Sequence, residues 1–208
     1  MNTQNRIEKS LIKYKYASFD IFDTLIIRKC GSAKEIFNLT KNKFEQTNHL
    51  EFDFNNIRID AEKVARKSLG KDEITLEDIY KIIGNIIGND IAEKLMEVEI
   101  SIELEQCIAN NKIVTIYNQF ALTHDVYILS DMYLPEKIIN QILMKNEIIP
   151  PKKIYISSEY QKTKRNRELY KLLLLEQNIN KKELIHVGDN FISDYINPLL
   201  LGISSLWI

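Results

Sequence analysis

The chain has 208 residues, of which 45% are hydrophobic, so it is long enough to bury one core with or without an inserted subdomain. Its 28 basic and 29 acidic residues nearly cancel, which excludes a global electrostatic preference for nucleic acid or an anionic membrane surface. Cys30 and Cys107 lack metal-binding spacing and are predicted to be ordinary thiols. A polar N-terminus and the lack of any long apolar stretch predict a cytoplasmic protein without a membrane span.

Five short apolar segments are predicted to be buried strands. They are residues 16–19, 126–129, 154–156, 184–187 and 205–208. Each is rich in β-branched or aromatic residues and is bounded by polar turns, as is typical of parallel strands. Helical patterns lie between the later strands, at 135–144, 167–177 and 192–201. This alternation predicts an α/β fold of three layers, with a Rossmann-like parallel five-stranded sheet between helices.

Residues 31–110 show helical periodicity and almost no strand signal. Four helices are predicted in this block, at 33–46, 57–69, 76–87 and 91–109. Because the sheet must resume at Val126, the block is predicted to be an all-helical cap inserted after the first strand. The predicted division is therefore a core of residues 1–30 and 111–208 and a cap of residues 31–110.

Polar residues directly follow three of the predicted strands. Asp20 and Asp23 follow the first, Ser130 and Asp131 follow the second, and the acidic segment 188–194 follows the fourth. Parallel strands end at one edge of the sheet, where open α/β folds bind ligands, so these residues are predicted to converge. Each segment alone could be an ordinary turn or helix cap. Their joint placement at strand ends favours a functional site.

The residue types in these segments suit phosphoryl transfer. A carboxylate at Asp20 can attack phosphorus and form a covalent intermediate. Its approach to an anionic phosphate requires a cation, and Asp189 and Asp194 offer oxygen ligands for Mg²⁺. The hydroxyl of Ser130 and nearby backbone N–H groups can bind a phosphate oxygen.

A lysine is also needed to supply positive charge to the transition state, and the sequence offers Lys162 and Lys164. Both lie in the locally basic span 152–171, which could attract an anionic substrate. The sequence leaves open which lysine serves. It also leaves open whether Asp189 or Asp194 is the direct metal ligand.

These segments resemble the four motifs of the haloacid dehalogenase (HAD) superfamily, in the same order along the chain. The matching residues are Asp20-Ile21-Phe22-Asp23-Thr24, Ser130, Lys164, and the segment from Gly188-Asp189 to Asp194. The resemblance covers residues 14–29 and 112–208. It implies a magnesium-dependent phosphohydrolase that acts on a small phosphorylated metabolite, for example a sugar phosphate, through an aspartyl-phosphate.

The resemblance also implies a role for each matching residue. Asp20 would be the nucleophile and would share the metal with the backbone carbonyl of Phe22, Asp189 and Asp194. The implied substrate-binding residues are Thr24, Ser130, Asp131, Lys162 and Lys164. Segments 19–25 and 130–135 further resemble a bacterial branch of hydrolases associated with surface-polysaccharide glycosyltransferases, which implies association with such enzymes.

One position departs from the superfamily pattern. Phosphatases of this superfamily usually carry a second aspartate two residues after the nucleophile, as general acid and base, and Phe22 stands there. Asp23, one residue further on, is hypothesised to replace it. The departure leaves two alternatives to a phosphatase: a dehalogenase-type hydrolase, because a halide leaves without protonation, and a degenerate module that binds a phosphorylated ligand without turnover.

Overall fold

A computed structural model describes residues 3–48, 52–68, 70 and 73–208. Its strands are β1 Tyr16–Phe19, β2 Ile26–Arg28, β3 Cys107–Ala109, β4 Asp125–Ser130, β5 Lys153–Ile156, β6 Leu184–Gly188 and β7 Ser204–Trp207. Its helices are α1 Thr3–Leu11, α2 Ala33–Asn48, α3 Phe54–Ser68, α4 Leu76–Ile87, α5 Asn89–Gln106, α6 Asn111–Ala121, α7 Glu136–Lys145, α8 Ser157–Tyr160, α9 Glu168–Glu176 and α10 Asn197–Leu201. A 3₁₀ turn at Lys181–Glu183 and a π-helical turn at Phe191–Ile196 complete the secondary structure.

Five parallel strands form the main sheet, in the order β5-β4-β1-β6-β7. The central strand β1 pairs with β4 on one side and with β6 on the other, so that Phe19 lies opposite both Ile128 and Val187. The chain therefore changes direction across the sheet at β1, and such a switch point is where open α/β sheets bind ligands. All five predicted strands are confirmed, with ends that differ by one residue at most, and so is the predicted fold class. The prediction that all five are buried is wrong for β7, which is partly exposed.

Two of the three helices predicted in the core are confirmed. Helices α7 and α9 fall on two of the three predicted segments. The third predicted helix, at 192–201, is a π-helical turn followed by α10. Helices α1, α6 and α8 were not predicted. Helix α1 packs against α6 and buries Ile7 and Leu11.

The four helices α2 to α5 pack on one another and lie in the chain between β2 and β3. Together with their connections they are called the helical block. Strands β2 and β3 pair antiparallel, with Ile27 opposite Ile108. The predicted helix 91–109 is therefore wrong at its end, because Cys107–Ala109 pairs as a strand with a distant segment. The predicted helix 57–69 begins earlier, at Phe54, and its predicted end at Leu69 lies outside the described residues.

A buried ionic cluster joins the helical block to the core. The Arg58 guanidinium, on α3, forms a two-point ion pair with Glu99 on α5. Its Nε and Nη2 each lie 2.9 Å from one oxygen of the Glu99 carboxylate. Its central carbon lies 5.0 Å from the ring of Tyr133, which belongs to the loop after β4. The amide of Leu76, at the start of α4, donates to the Tyr133 carbonyl at 3.0 Å. The loop that follows Ser130 is thus held by the helical block.

Among the helices that the structure describes, none has the length and apolar character needed to cross a membrane.

Candidate active site

Asp20 lies one residue beyond the end of β1, at the centre of the sheet edge. Its amide donates to the Val187 carbonyl at 2.9 Å, so the β1–β6 ladder continues into the site and fixes the carboxylate. The side chain is almost fully buried. Burial raises the pKa of Asp20 to about 7, although the charge of Lys164 acts in the opposite direction. A cation close to Asp20 would favour its ionised, nucleophilic form.

Lys164 brings a positive charge to the centre of the site. Its Nζ lies 2.5 Å from Asp20 Oδ1 and 2.7 Å from Asp194 Oδ1, and the side chain is 3% exposed. Burial would lower the pKa of this ammonium, but Asp20 and Asp194 outweigh burial and raise it. Lys164 is therefore protonated at neutral pH and can donate to anionic oxygens.

Asp20, Asp189 and Asp194 form a cluster in which one carboxylate oxygen from each lies within 4.8 Å of the others. Hard oxygen ligands in such proximity suit a divalent cation of the Mg²⁺ class. When ionised, the three carboxylates and the Lys164 ammonium carry two net negative charges, which a divalent cation would neutralise. The residues present therefore fit the predicted metal.

The acidic segment after β6 is shaped by reciprocal hydrogen bonds. Asn190 Oδ1 accepts from the amides of Ile192 and Ser193, both at 3.0 Å, and Asp194 Oδ2 accepts from the Asn190 amide at 3.1 Å. Burial alone would raise the pKa of Asp194, but Lys164 lowers it well below its usual range. Asp194 is thus an ionised, fully oriented group.

His186 supports Asp194 from beneath, inside β6. Its Nε2 lies 3.3 Å from Asp194 Oδ1, and its Nδ1 lies 2.8 Å from Ser18 Oγ. Burial lowers the pKa of the imidazole, so the ring is neutral. Because an ionised carboxylate can only accept, Nε2 carries the proton and Nδ1 accepts from the Ser18 hydroxyl. A histidine buried in a strand thereby orients an acidic residue of the site.

Gly188 is required by close packing and not by its backbone conformation. Its φ is not in the left-handed region. A Cβ at this position would lie 2.5 Å from both Cβ and Cγ of Asp194, which is closer than atoms can approach. Gly188 therefore allows Asp194 to lie directly against the end of β6.

Replacing Gly188 with alanine is expected to weaken Mg²⁺ binding by about 10-fold or more, because the added methyl displaces Asp194. The measurement is the Mg²⁺ concentration that gives half of the maximal rise in melting temperature. Gly84→Ala is the matched control. The nearest neighbours of its Cβ all belong to Asn89, and both residues lie in the helical block, outside the carboxylate cluster. Equal Mg²⁺ requirements for Gly188→Ala and the wild type would contradict this role.

The loop from Asp20 to Ile26 places Phe22 and Asp23 on the wall of the cleft. The Phe22 ring lies 4.4 Å below the guanidinium of Arg28, which is itself paired with Glu103 at 3.0 Å. Asp23 is exposed, with a φ of 58°, a conformation that Asp and Asn adopt more readily than most residues. The position of the usual general acid is thus occupied by a ring packed on arginine, and the Asp23 carboxylate is free to face solvent.

Ser130 and Asp131 also line the cleft, at the end of β4. The Asp131 carboxylate accepts from the amides of Lys164 at 2.7 Å and Arg165 at 3.2 Å. Asp131 therefore holds the segment that presents Lys164 to Asp20. This contact explains why Lys164, among the lysines of the basic span, reaches the site.

Two predicted substrate-binding residues lie apart from the cleft as the structure describes it. Thr24 is fully buried, and its hydroxyl lies 3.4 Å from Asp189 Oδ1. Lys162 is half-exposed, two residues before Lys164. Direct contact of Thr24 with substrate stays a prediction, and Lys162 stays the untested alternative to Lys164.

The cleft has a volume of about 740 Å³, and the helical block supplies part of its wall. Arg66, from α3, and Glu73, just before α4, both face it. Neither was identified from the sequence, because their chain neighbourhood carries only an ordinary amphipathic helix and a polar turn. Their place in the site depends on how the block packs on the core.

Several solved structures share this fold. The HAD-hydrolase YfnB from Bacillus subtilis, bound to magnesium, is 14% identical, with a TM-score of 0.63 over 94% of this chain and 88% of that one. A HAD family enzyme from Bacteroides thetaiotaomicron, in complex with magnesium and inorganic phosphate, is 19% identical, with a TM-score of 0.62 over 93% of each chain. A 2-haloacid dehalogenase from Pseudomonas syringae is 12% identical, with a TM-score of 0.72 over 93% of this chain and 86% of that one.

The sequence itself matches no family model and no curated protein. At identities below one fifth, the structural matches establish architecture, which agrees with the parallel sheet and the order of its strands. The chain therefore has the α/β Rossmann-like fold of HAD-type hydrolases.

Proposed function

We propose that this protein is a Mg²⁺-dependent phosphohydrolase that acts on a small phosphorylated metabolite. The observation that carries the proposal is the convergence of Asp20, Asp189 and Asp194 within 4.8 Å, with Lys164 between Asp20 and Asp194. Similar folds crystallised with magnesium, one of them also with inorganic phosphate, support the same chemistry. When bound, the cation supplies charge neutralisation between the nucleophile and the phosphate.

The reaction is assigned to the residues of the chain in two steps. In the first, an Asp20 carboxylate oxygen forms a bond to phosphorus as the ester P–O bond breaks, and the proposed acid, Asp23, gives a proton to the leaving oxygen. In the second, water attacks phosphorus and gives a proton back to Asp23, the bond to Asp20 breaks, and phosphate is released with the carboxylate restored. Lys164 and Ser130 donate to phosphoryl oxygens throughout, where charge develops.

Metal ligation is assigned to Asp20, Asp189 and Asp194, together with the backbone carbonyl of Phe22. The sequence left Asp189 and Asp194 equivalent as direct ligands. Both oxygens of Asp194 already accept hydrogen bonds or ion pairs from Lys164, His186 and Asn190. Asp189 is half-buried and open to the cleft, which favours it as the direct ligand.

The experiment that tests the proposal is phosphate release from a panel of phosphate monoesters, with Mg²⁺ and with EDTA. We expect release that requires Mg²⁺ and is lost on chelation. Folded protein that binds Mg²⁺ but releases no phosphate from any ester would refute the proposal.

Asp23 is proposed to replace the missing general acid and base. Asp23→Asn is expected to lower turnover of alkyl phosphates by about 100-fold, because an alkoxide is a poor leaving group and depends on protonation. Turnover of 4-nitrophenyl phosphate should fall much less, because 4-nitrophenolate leaves more readily without a proton. Asparagine tolerates the same left-handed conformation, so the loop is preserved. The measurement is the pH profile of turnover, with the exposed Asp60→Asn on α3 as control. An unchanged profile in Asp23→Asn would exclude this role.

A dehalogenase is the second candidate, and Phe22 favours it because halide departure needs no proton. The carboxylate cluster argues for the phosphatase, since carbon–halogen hydrolysis needs no cation. Halide release from 2-chloropropionate in the presence of EDTA would support the dehalogenase. Its absence, together with Mg²⁺-dependent phosphate release, would support the phosphatase.

We further propose that helices α2 to α5 act as a cap that selects substrates. Arg66 and Glu73 on the wall of the cleft support this role. The resemblance of segments 19–25 and 130–135 to polysaccharide-associated hydrolases extends the proposal to association with glycosyltransferases. Co-purification with such an enzyme tests that extension.

A further inference from the structure

The outer wall of the cleft carries an arginine and a glutamate that the proposed reaction does not use. Arg66 Nη1 lies 3.6 Å from Glu73 Oε2, which is an ion pair but too long for a good hydrogen bond. Arg66 Nε and Nη2 instead donate to Glu62 Oε1, at 3.2 and 3.0 Å, on the side away from Glu73. Besides its pair with Arg66, the Glu73 carboxylate accepts a hydrogen bond from the Ser157 side chain. A carboxylate has several acceptor sites, so the Arg66–Glu73 pair can still bind a third group.

Both residues belong to the helical block, and Glu73 is the one that also contacts the core. The Glu73 amide donates to Gln161 Oε1 at 3.4 Å, next to the segment that carries Lys164. Its side chain is 14% exposed, whereas that of Arg66 is 45% exposed. The pair thus spans the junction between the helical block and the core, on the wall of the cleft that contains Asp20.

The charges on the wall decide which chemical group suits this pair. Apart from the carboxylate cluster and Lys164, the charged residues on the wall are Asp23, Glu73 and Asp131 against Arg66 and Arg165. A second anionic group on the substrate would approach Glu73 directly and would be repelled. A hydroxyl group needs no counter-charge and can accept from arginine while it donates to glutamate.

The size of the cleft is consistent with a leaving group larger than a simple alkyl chain. Its volume of about 740 Å³ is well above the volume that a phosphate and a metal ion require. Polar side chains outnumber apolar ones on its wall, where the apolar residues are Phe22, Met132 and Ile192. An extended apolar leaving group would therefore leave many polar groups without partners.

We propose that Arg66 and Glu73 form a subsite for hydroxyl groups of the leaving group, so that the preferred substrates are phosphate monoesters of sugars or polyols. The inference rests on the proposed phosphohydrolase function and specifies its substrate class. In this arrangement the phosphate binds at Asp20 and Lys164, and the hydroxylated part extends toward the helical block. Arg66 and Glu73 are specificity-determining residues, and neither takes part in bond breaking.

The test compares three kinds of ester in the presence of Mg²⁺: hexose, pentose and glycerol phosphates; 4-nitrophenyl phosphate, which has no hydroxyl; and phosphoglycolate, which has a second anion. The variants are Arg66→Met and Glu73→Met. Lys67→Met and Glu77→Met are the matched controls, because both residues are exposed and lie outside the cleft. Circular dichroism and melting temperature establish that each variant is folded.

We expect each of the two variants to lower kcat/KM for the best hydroxylated ester by about 10-fold or more, and for 4-nitrophenyl phosphate by less than about 2-fold. The controls should match the wild type on every ester. Equal losses on both ester classes, or a wild-type preference for phosphoglycolate, would overturn the subsite. If one variant does not fold, the subsite is tested by the other variant and by the preference of the wild type among the three kinds of ester.

Failure of the proposed function can be distinguished from failure of the subsite. If no ester releases phosphate, the phosphohydrolase is refuted, and the same esters are titrated by calorimetry into wild type and variants with Mg²⁺. Binding of a sugar phosphate that weakens by about 10-fold in both variants would still support the subsite. No binding to the wild type, or equal binding to all variants, would overturn it.

Discussion

Asp20→Asn is expected to abolish Mg²⁺-dependent phosphate release, with a loss of about 10⁴-fold or more, as is found when a covalent nucleophile is removed. The amide has nearly the same shape as the carboxylate but cannot form the acyl phosphate. It also removes one of the three carboxylates that surround the predicted cation. The measurement is steady-state phosphate release from the best ester of the panel.

The control for Asp20→Asn is Asp125→Asn. Asp125 begins β4, at the amino-terminal ends of the strands and so opposite the site, where it pairs with Lys152 at 2.7 Å. The two variants make the same chemical change, one inside the site and one remote from it. Turnover by folded Asp20→Asn within about 10-fold of the wild type would show that this carboxylate is not the nucleophile.

Lys164→Met is expected to lower kcat/KM by about 10³-fold, because it removes the donor to the developing charge. It also leaves Asp20 and Asp194 without the ammonium that bridges them at 2.5 and 2.7 Å. Mutual repulsion of the two carboxylates would then oppose ionisation of Asp20. The measurement is kcat/KM at saturating Mg²⁺, with folding checked by circular dichroism.

Lys162→Met is the matched control, and it decides between the two lysines that the sequence left open. Lys162 is half-exposed and lies outside the described wall of the cleft. We expect its loss to change kcat/KM by less than about 3-fold, which is the size typical of a surface charge. A larger loss in Lys162→Met than in Lys164→Met would reverse the assignment.

The sheet could be predicted from the sequence because four of its five strands, β1, β4, β5 and β6, are buried. Segments such as Tyr16–Phe19 and Leu184–Gly188 are mostly apolar, with Ser18 and His186 as their polar members, and the acidic residues begin where the segments end. Strands β2 and β3 were not predicted, because each has three residues and pairs with a segment far along the chain. The local sequence pattern of a short strand does not indicate which distant segment it pairs with.

The part of the site formed by the ends of the strands was predictable from the positions of those strands. The part contributed by the helical block was not. Asp20, Ser130 and Asp189 each follow a strand, so topology alone brings them together. The choice of Lys164 over Lys162 depends on the hydrogen bonds that Asp131 accepts from the loop. Arg66 and Glu73 reach the cleft only through tertiary packing of the helical block, which no local signal encodes.

The resemblance to HAD motifs anticipated the fold but left the proton-transfer step open. The structure places the Phe22 ring against Arg28, so that the usual acid position is filled by a packed aromatic side chain. Asp23 remains on the wall of the cleft and is exposed. The departure from the motif therefore bears on the proposed leaving-group step, and Asp20 and the carboxylate cluster are in place.

The central claim is that Asp20 carries the phosphoryl group during turnover, and trapping that intermediate tests it most directly. Wild-type protein is mixed with Mg²⁺ and the best ester, quenched rapidly in acid, and digested for mass spectrometry. The account predicts a hydroxylamine-sensitive phosphoryl adduct on the peptide that contains Asp20, absent when EDTA replaces Mg²⁺. Phosphate release without an adduct, or an adduct on another residue, would contradict it.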